Sequence, residues 1–285
     1  MGELLNNIRQ KLEVDFGLTP VVATEIEFYL HGAEGLAQQE VVAAIEAECV
    51  KAGLKPAKAE AERGPNQYEV SFLPSRDLLH VVSETGRFKE LMEQMNLQAD
   101  FAAKPQRDKP GSGLHTHVHL EDKAGNNVFF RENEEFSPQL LNAIGGLLAL
   151  MNPCMSIFAP HPESYDRFLH TVNAYLVCPT ASNVPATVSW GTNNRTVAVR
   201  LPPKPARERH IEHRVSGSDA DVTLTIAAVL AGIHYGLKNK CNPGQPVYGD
   251  ASLSQYEKPK LAMSLEESHK HNKESAALKE YFMQL

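Results

Sequence analysis

Apolar residues recur at three- and four-residue spacing over residues 4–14, 40–51, 78–95, 138–151, 221–238 and 265–282, and each stretch predicts a helix. Shorter segments between them alternate apolar with polar residues or are rich in β-branched ones. These are 21–30, 67–72, 113–120, 187–190, 196–201 and 210–215, and they read as strands of a largely antiparallel sheet. Helices and strands do not alternate one for one. Neither Gly-x-Gly-x-x-Gly nor Gly-x-x-x-x-Gly-Lys-Ser/Thr occurs, so a doubly wound nucleotide fold is disfavoured. The expected class is α+β, with a curved sheet and flanking helices. Turn-forming residues cluster at 107–112, at 159–164 and over the long stretch 171–185.

Composition narrows this picture. At 285 residues and 42% hydrophobic, the chain can bury a core without cross-links, and one compact domain over 1–285 is expected. The net charge of −7 is spread along the sequence, with no basic run to follow a phosphate backbone, so no nucleic-acid partner is expected. Cys49, Cys154, Cys178 and Cys241 are far apart and form no Cys-x-x-Cys pair, which argues against a zinc site or disulfide framework and for a reducing compartment. Residues 1–16 are charged and amphipathic, without a signal-peptide core. No stretch reaches the roughly 18 apolar residues of a membrane span. The expectation is a cytoplasmic protein with no membrane partner.

The polar positions of the strands carry the candidate chemistry. Residues i and i+2 of a strand share a face. Glu25 and Glu27 therefore point one way, with Ile26 and Phe28 opposed; Gln67 and Glu69 repeat the arrangement, as do His115, His117 and His119, then His210, Glu212 and Arg214. Arg200 stands against Val199 and Leu201. One Glu-x-Glu pair is ordinarily a solvated sheet face, and alternating histidines alone leave a zinc site on His115, His117 and His119 open. Several coincident pairs in one chain point instead to a sheet face lined with carboxylates, imidazoles and guanidinium groups. Because carboxylates dominate, hard cations such as Mg²⁺ or Mn²⁺ are favoured over zinc.

Six ordered motifs then resemble one family. They are Ala-Thr-Glu-Ile-Glu-Phe-Tyr-Leu at 23–30, Glu-Arg-Gly-Pro-Asn-Gln-Tyr-Glu at 62–69, Lys-Pro-Gln-Arg-Asp-Lys-Pro-Gly-Ser-Gly-Leu-His-Thr-His at 104–117, Ser-Tyr-Asp-Arg-Phe at 164–168, Trp-Gly-Thr-Asn-Asn-Arg-Thr-Val-Ala-Val-Arg-Leu-Pro at 190–202, and Arg-His-Ile-Glu-His-Arg at 209–214. In this order they resemble the catalytic motifs of glutamine synthetases, over a core of about 21–240 with a C-terminal extension at 241–285. The resemblance implies the glutamine synthetase/guanido kinase catalytic fold and two divalent cations, Mg²⁺ or Mn²⁺, with ATP as a substrate. It further implies that Glu27, Glu62 and Glu69 hold one cation, and that Glu25, His115 and Glu212 hold the cation carrying the nucleotide's phosphates. Arg195 and Arg200 are implied as phosphate-facing catalytic arginines. Arg167 and Arg214 are implied to hold substrate carboxylates, Arg167 also acting in catalysis, and Gly111 to approach the substrate with its backbone. His117, Arg195 and Arg207 are implied as nucleotide contacts.

The expected partners are therefore small molecules (ATP, glutamate and an amine), together with a homo-oligomer or association with a related synthetase. Departures from the family pattern shape the expectation further. The first metal strand begins about twenty residues from Met1, leaving no room ahead of it for the family's small β-grasp domain. No Asp or Glu occurs between Arg167 and Arg207, where the family carries a flap glutamate; Asn183 and its neighbours stand there instead. His210 takes the place of a further phosphate-facing arginine. The expected activity is ATP-dependent joining of glutamate to ammonia or another amine. A non-catalytic paralogue that binds nucleotide, glutamate or a full-length synthetase is the alternative.

Overall fold

In the computed structural model, which describes residues 1–33, 35–95, 98–169 and 183–282, the chain opens with helix α1 (Gly2–Phe16). This helix stops at Gly17, whose φ of 67° and ψ of 28° give the left-handed cap that glycine adopts at no steric cost. Strand β1 (Thr19–His31) follows and forms the spine of the sheet. After helix α2 (Gln38–Lys51) come β2 (Pro56–Ala61) and β3 (Gln67–Phe72), then helix α3 (Leu78–Gln94), β4 (Gln98–Asp100) and β5 (Leu114–Glu121). Helix α4 (Pro138–Leu150), the one-turn α5 (Met155–Phe158) and a 3₁₀ segment, Pro162–Phe168, complete the part before residue 170. From residue 183 onward lie β6 (Trp190–Thr192), β7 (Val199–Leu201), β8 (Ile211–His213), the long helix α6 (Val222–Asn239), α7 (Leu265–Glu274) and α8 (Ala276–Lys279).

The strand order is β2-β3-β1-β5-β8-β7-β6, with β4 pairing the far end of β1. Every pairing is antiparallel except β6 with β7. On one face, Val22, Ile26, Phe28 and Leu30 of β1 and Leu114, Val118 and Leu120 of β5 are buried beneath the helices. Phe28 meets Phe88 edge-on at 5.5 Å, and Phe88 meets Phe72 at 5.7 Å. Such pairs add about 0.5–1.5 kcal/mol each beyond the area they bury. Thr24 and Thr85 share a buried hydrogen bond of 2.7 Å that ties β1 to α3.

The α4–α6 crossing sets how tightly this layer closes. A Cβ placed on Gly146 would collide with the Gly232 carbonyl oxygen and the Gly236 backbone, and one on Gly236 would collide with the Asn142 carbonyl. The two helices meet backbone to backbone because these side chains are missing.

The six predicted helices and six predicted strands are all represented, with corrections at the edges. The stretch 265–282 is not one helix. Ser275 ends α7, and its hydroxyl accepts from the Leu278 N–H to start α8, because a serine cap competes with helix continuation. The 187–190 strand lies instead at Trp190–Thr192, while Thr187 makes a single bridge to Lys260. Strands β7 and β8 are shorter than 196–201 and 210–215. Both β2 and β4 were absent from the prediction. Most of the predicted loop 171–185 lies outside the described residues. Among those described, no single helix is long and apolar enough to cross a membrane.

His213 of β8 is fully buried, its ring centroid 4.4 Å from that of Phe158, and neither ring nitrogen has a hydrogen-bond partner. Burial, reinforced by the nearby His115 and Arg167, pushes it down from 6.5 to about 3. A depressed imidazole stabilises the fold fully above pH 6.5 and loses that contribution as the pH falls toward 3, because the unfolded chain takes up the proton first. His213→Leu should therefore lose about 2 kcal/mol less stability than the native chain between pH 8 and pH 5, measured by urea unfolding at each pH. Gly146→Ala and Gly236→Ala should each cost about 3 kcal/mol or more by wedging the helices apart. Gly86→Ala in α3, where a Cβ meets nothing within 4 Å, should gain about 0.5–1 kcal/mol. Equal melting temperatures for Gly146→Ala and Gly86→Ala would contradict this packing.

Candidate functional site

Register alone assembles a polar row across the other face of the sheet. Glu27 lies opposite Glu69, Glu25 lies between Ser71 and His115, His117 lies opposite Glu212, and Glu212 lies opposite Arg200. Glu62 joins from the turn after β2, where its N–H donates to the Gln67 carbonyl. Oxygens of Glu27, Glu62 and Glu69 come within 4.8 Å of one another, as do donor atoms of Glu25, Glu69 and His115 and of Glu25, His117 and Glu212. All six predicted metal ligands are thus brought together, and His117, expected at the nucleotide, reaches the cluster too. His119 does not; its Nε2 lies 3.4 Å from Glu121, which turns the third histidine away from any shared zinc site.

The cluster is electrostatically divided. Burial pushes Glu69 up to about 12, with Glu25 and Glu27 adding repulsion. Glu62 is raised by burial and then by Glu27. Burial would raise Glu25 as well, but hydrogen bonds from His115 and His117 hold it well below the usual carboxylate range. Against its own burial, Glu212 is held at about 2 by Arg214 and then by His117 and His115. Arg200 Nη1 donates to Glu212 Oε2 at 2.7 Å, and Arg214 Nη1 donates to Glu212 Oε1. His115 Nδ1 contacts Glu25 Oε1 at 2.8 Å while its buried Nε2 has no partner. Converging carboxylates that repel one another, beside an imidazole nitrogen left free, are the donor set of hard divalent cations, and the residues present fit two of them.

Around this floor the backbone is pinned. Gln67 Nε2 donates to the Gly111 carbonyl at 3.0 Å, Tyr29 Oη to the Pro110 carbonyl at 2.9 Å, and the Gly113 N–H to Glu27 Oε2 at 2.6 Å. A Cβ on Gly111 would lie 2.7 Å from the Ala103 oxygen and 2.8 Å from Arg167 Cγ, so only glycine fits there. Arg167 is buried and its Nη atoms donate to the Val215, Ser216 and Arg214 carbonyls. It braces the chain beneath the site rather than presenting an open fork. Arg195 is exposed, though close enough to Glu62 for its charge to lower that carboxyl.

From Glu25, His117, Arg200 and Glu212 a cleft of about 980 Å³ runs outward to Asn127, Phe130 and Arg207. The exposed Arg207 lies 5.3 Å over the Phe130 ring, and Asn127 Nδ2 donates to the Arg207 and Arg209 carbonyls. His210 also lines the cleft, with its ring 5.2 Å from that of His117; burial lowers its pKa and favours the neutral form at the position expected to carry an arginine.

The glutamine synthetase catalytic-domain model matches residues 33–284. The chain belongs to the glutamine synthetase family. It is 33% identical over 280 residues to the gamma-glutamylputrescine synthetase PuuA of Escherichia coli, covering 87% of this chain and 57% of that protein. It is 33% identical over 227 residues to a glutamate–isopropylamine ligase of Pseudomonas sp, covering 76% and 46% respectively. The chain thus spans about half the length of the curated relatives it matches. The solved GmaS/ADP complex superposes with a TM-score of 0.84 at 24% identity, covering 98% of this chain and 69% of that one, which establishes the glutamine synthetase fold.

One ion pair beside the cluster escaped sequence reasoning, and one expected flap position falls among the described residues. Strand β2 places Lys58 and Glu60 opposite Ser71 and Glu69, where they pair at 2.6 Å. The Lys-x-Glu spacing in Pro-Ala-Lys-Ala-Glu-Ala was the available signal. Asn183, at the near end of the flap interval, receives Arg214 Nη2 on its backbone carbonyl at 3.3 Å. The remaining flap candidates through Ser182 lie outside the described residues.

Mg²⁺ or Mn²⁺ should raise the melting temperature of the protein in chelator-treated buffer. Glu69→Gln should melt higher than the native chain without a cation, since it removes a buried, repelled carboxyl, and should lose most of the cation-dependent increment. Thermal unfolding with and without the cation checks this; an undiminished increment in Glu69→Gln would contradict the cluster's role.

Proposed function

We propose that the chain carries the catalytic unit of an ATP- and divalent-cation-dependent ligase that joins glutamate to an amine. The observation that carries this reading is the convergence of Glu25, Glu27, Glu62, Glu69, His115 and Glu212 at the inner end of a cleft flanked by arginines. Bound Mg²⁺ or Mn²⁺ would neutralise the nucleotide's phosphates and polarise the γ-phosphoryl group. Glu25, His115 and Glu212 would hold the cation on the nucleotide side, and Glu27, Glu62 and Glu69 the one on the glutamate side. The γ-carboxylate oxygen attacks the γ-phosphorus and ADP leaves. The amine nitrogen then attacks the acyl carbon, phosphate departs and the amine loses a proton.

In this reading Arg195 and Arg200 offset charge on the transferring phosphoryl group, while His117 and Arg207 contact the nucleotide, Arg207 from its platform on Phe130. Arg214 and the backbone at Gly111 hold glutamate, and Arg167 positions both from below. Relatives named for putrescine and isopropylamine support an organic amine as acceptor. So does the lack of Asp and Glu between Arg167 and Arg207, since a positioned carboxylate base contributes roughly 10²–10⁴-fold to proton transfer. The same gap also supports a non-catalytic, ligand-binding paralogue. A cytoplasmic setting and assembly with copies of itself or with a related synthetase belong to the proposal.

Phosphate release from ATP with Mg²⁺, glutamate and a panel of amines tests the reading. Amine-dependent release is expected; its absence with every amine would leave the binding paralogue. ATP binding should require the cation, and Glu212→Ala should weaken it at least tenfold in calorimetry. Unchanged ATP affinity in that variant would remove Glu212 from the nucleotide-side cation.

A further inference from the structure

Arg63 follows Glu62 directly in the turn between β2 and β3, at the glutamate-side rim of the carboxylate cluster, and its side chain is exposed. Across the opening it meets an amide. With the Asn183 side chain turned so that its oxygen faces the guanidinium, that oxygen accepts from Nη1 at 2.5 Å and Nη2 at 3.1 Å. A single amide oxygen thus takes both arms of a fork whose planar geometry matches the two oxygens of a carboxylate. In sequence, residues 168–206 contain no Asp or Glu to take its place. Arg214 holds the Asn183 backbone carbonyl from the inner side, and the exposed Arg195 adds positive charge near Glu62. The approach to the Glu27–Glu62–Glu69 group is therefore rimmed by cations.

We infer that Arg63 determines specificity for the acceptor, and that the preferred amine carries a carboxylate, which displaces the Asn183 oxygen from the Arg63 fork. The inference rests on the ligase reading and names the substrate class of the same site. A charge-assisted pair is roughly twice as strong as the amide contact it replaces. The attacking nitrogen must be neutral, whereas the carboxylate stays ionised at neutral pH, so the charge match survives the step. A diamine would bring its second ammonium against Arg63 and Arg195, a like-charge contact that discriminates against it.

The test compares β-alanine, propylamine and 1,4-diaminobutane as acceptors for the full chain with MgATP and glutamate, following phosphate release. β-Alanine should exceed both others in kcat/KM by tenfold or more. Arg63→Gln should cut the β-alanine to propylamine ratio at least tenfold, with the change in KM for the amine rather than in kcat. Asn183→Asp, which supplies a carboxylate to the fork from the chain itself, should do the same. A preference for the diamine or propylamine, or a ratio unchanged in Arg63→Gln, overturns the inference while leaving the ligase reading intact. Silence with every amine in the native chain overturns the ligase reading and this inference with it.

Discussion

The antiparallel register of β1 between β3 and β5 is the constraint on which the rest of the molecule depends. It sets Glu27 against Glu69 and Glu25 between Ser71 and His115, while Ile26 and Phe28 turn into the helix layer. A slip of one residue would exchange the two faces, burying carboxylates beneath the helices and exposing the core. Neither outcome is tolerable, since an unpaired buried charge costs several kcal/mol and the lost apolar burial costs more. The same side chains that fix the fold therefore fix the position of every donor in the cluster.

The helix layer makes that register rigid. Backbone contact between α4 and α6 and the aromatic contacts of Phe28, Phe72 and Phe88 leave the apolar face little freedom to shift. On the opposite face, Arg167 bonds to three consecutive carbonyls, and Gln67 and Tyr29 hold the Pro110 and Gly111 carbonyls. The donors are preorganised before any ligand arrives, which is how a site avoids spending binding energy on its own assembly.

Charge is distributed unevenly across the row. At one end Glu212 is saturated by Arg200 and Arg214 and held at about 2, and at the other Glu62 and Glu69 crowd together and resist ionisation. Bound cations, in the proposed ligase reading, would relieve the second end and compete with the arginines at the first, leaving guanidinium groups available to phosphate oxygens. Outside the cluster the rim is cationic, through Arg63 and Arg195. An anionic floor under a cationic rim suits phosphates and carboxylates brought in together with metal ions.

By itself the sequence determined the α+β class and the apolar helices, because period-2 and period-3.6 patterns record which side of each element meets the core; the six donors as a set, Glu62 among them, were named only through the resemblance of ordered motifs to glutamine synthetases. Glu25 with Glu27, and His115 with His117, were legible as same-face pairs from the period-2 pattern. Tertiary structure alone decided what those faces meet. Glu69 lying between Glu25 and Glu27, His117 reaching the cluster while His119 turns to Glu121, and Arg167 bracing carbonyls all depend on pairings between distant segments. Local periodicity carries no record of such pairings. The Arg63–Asn183 contact joins residues 120 positions apart through an amide that has no pattern of its own, so only the folded chain brings it into being.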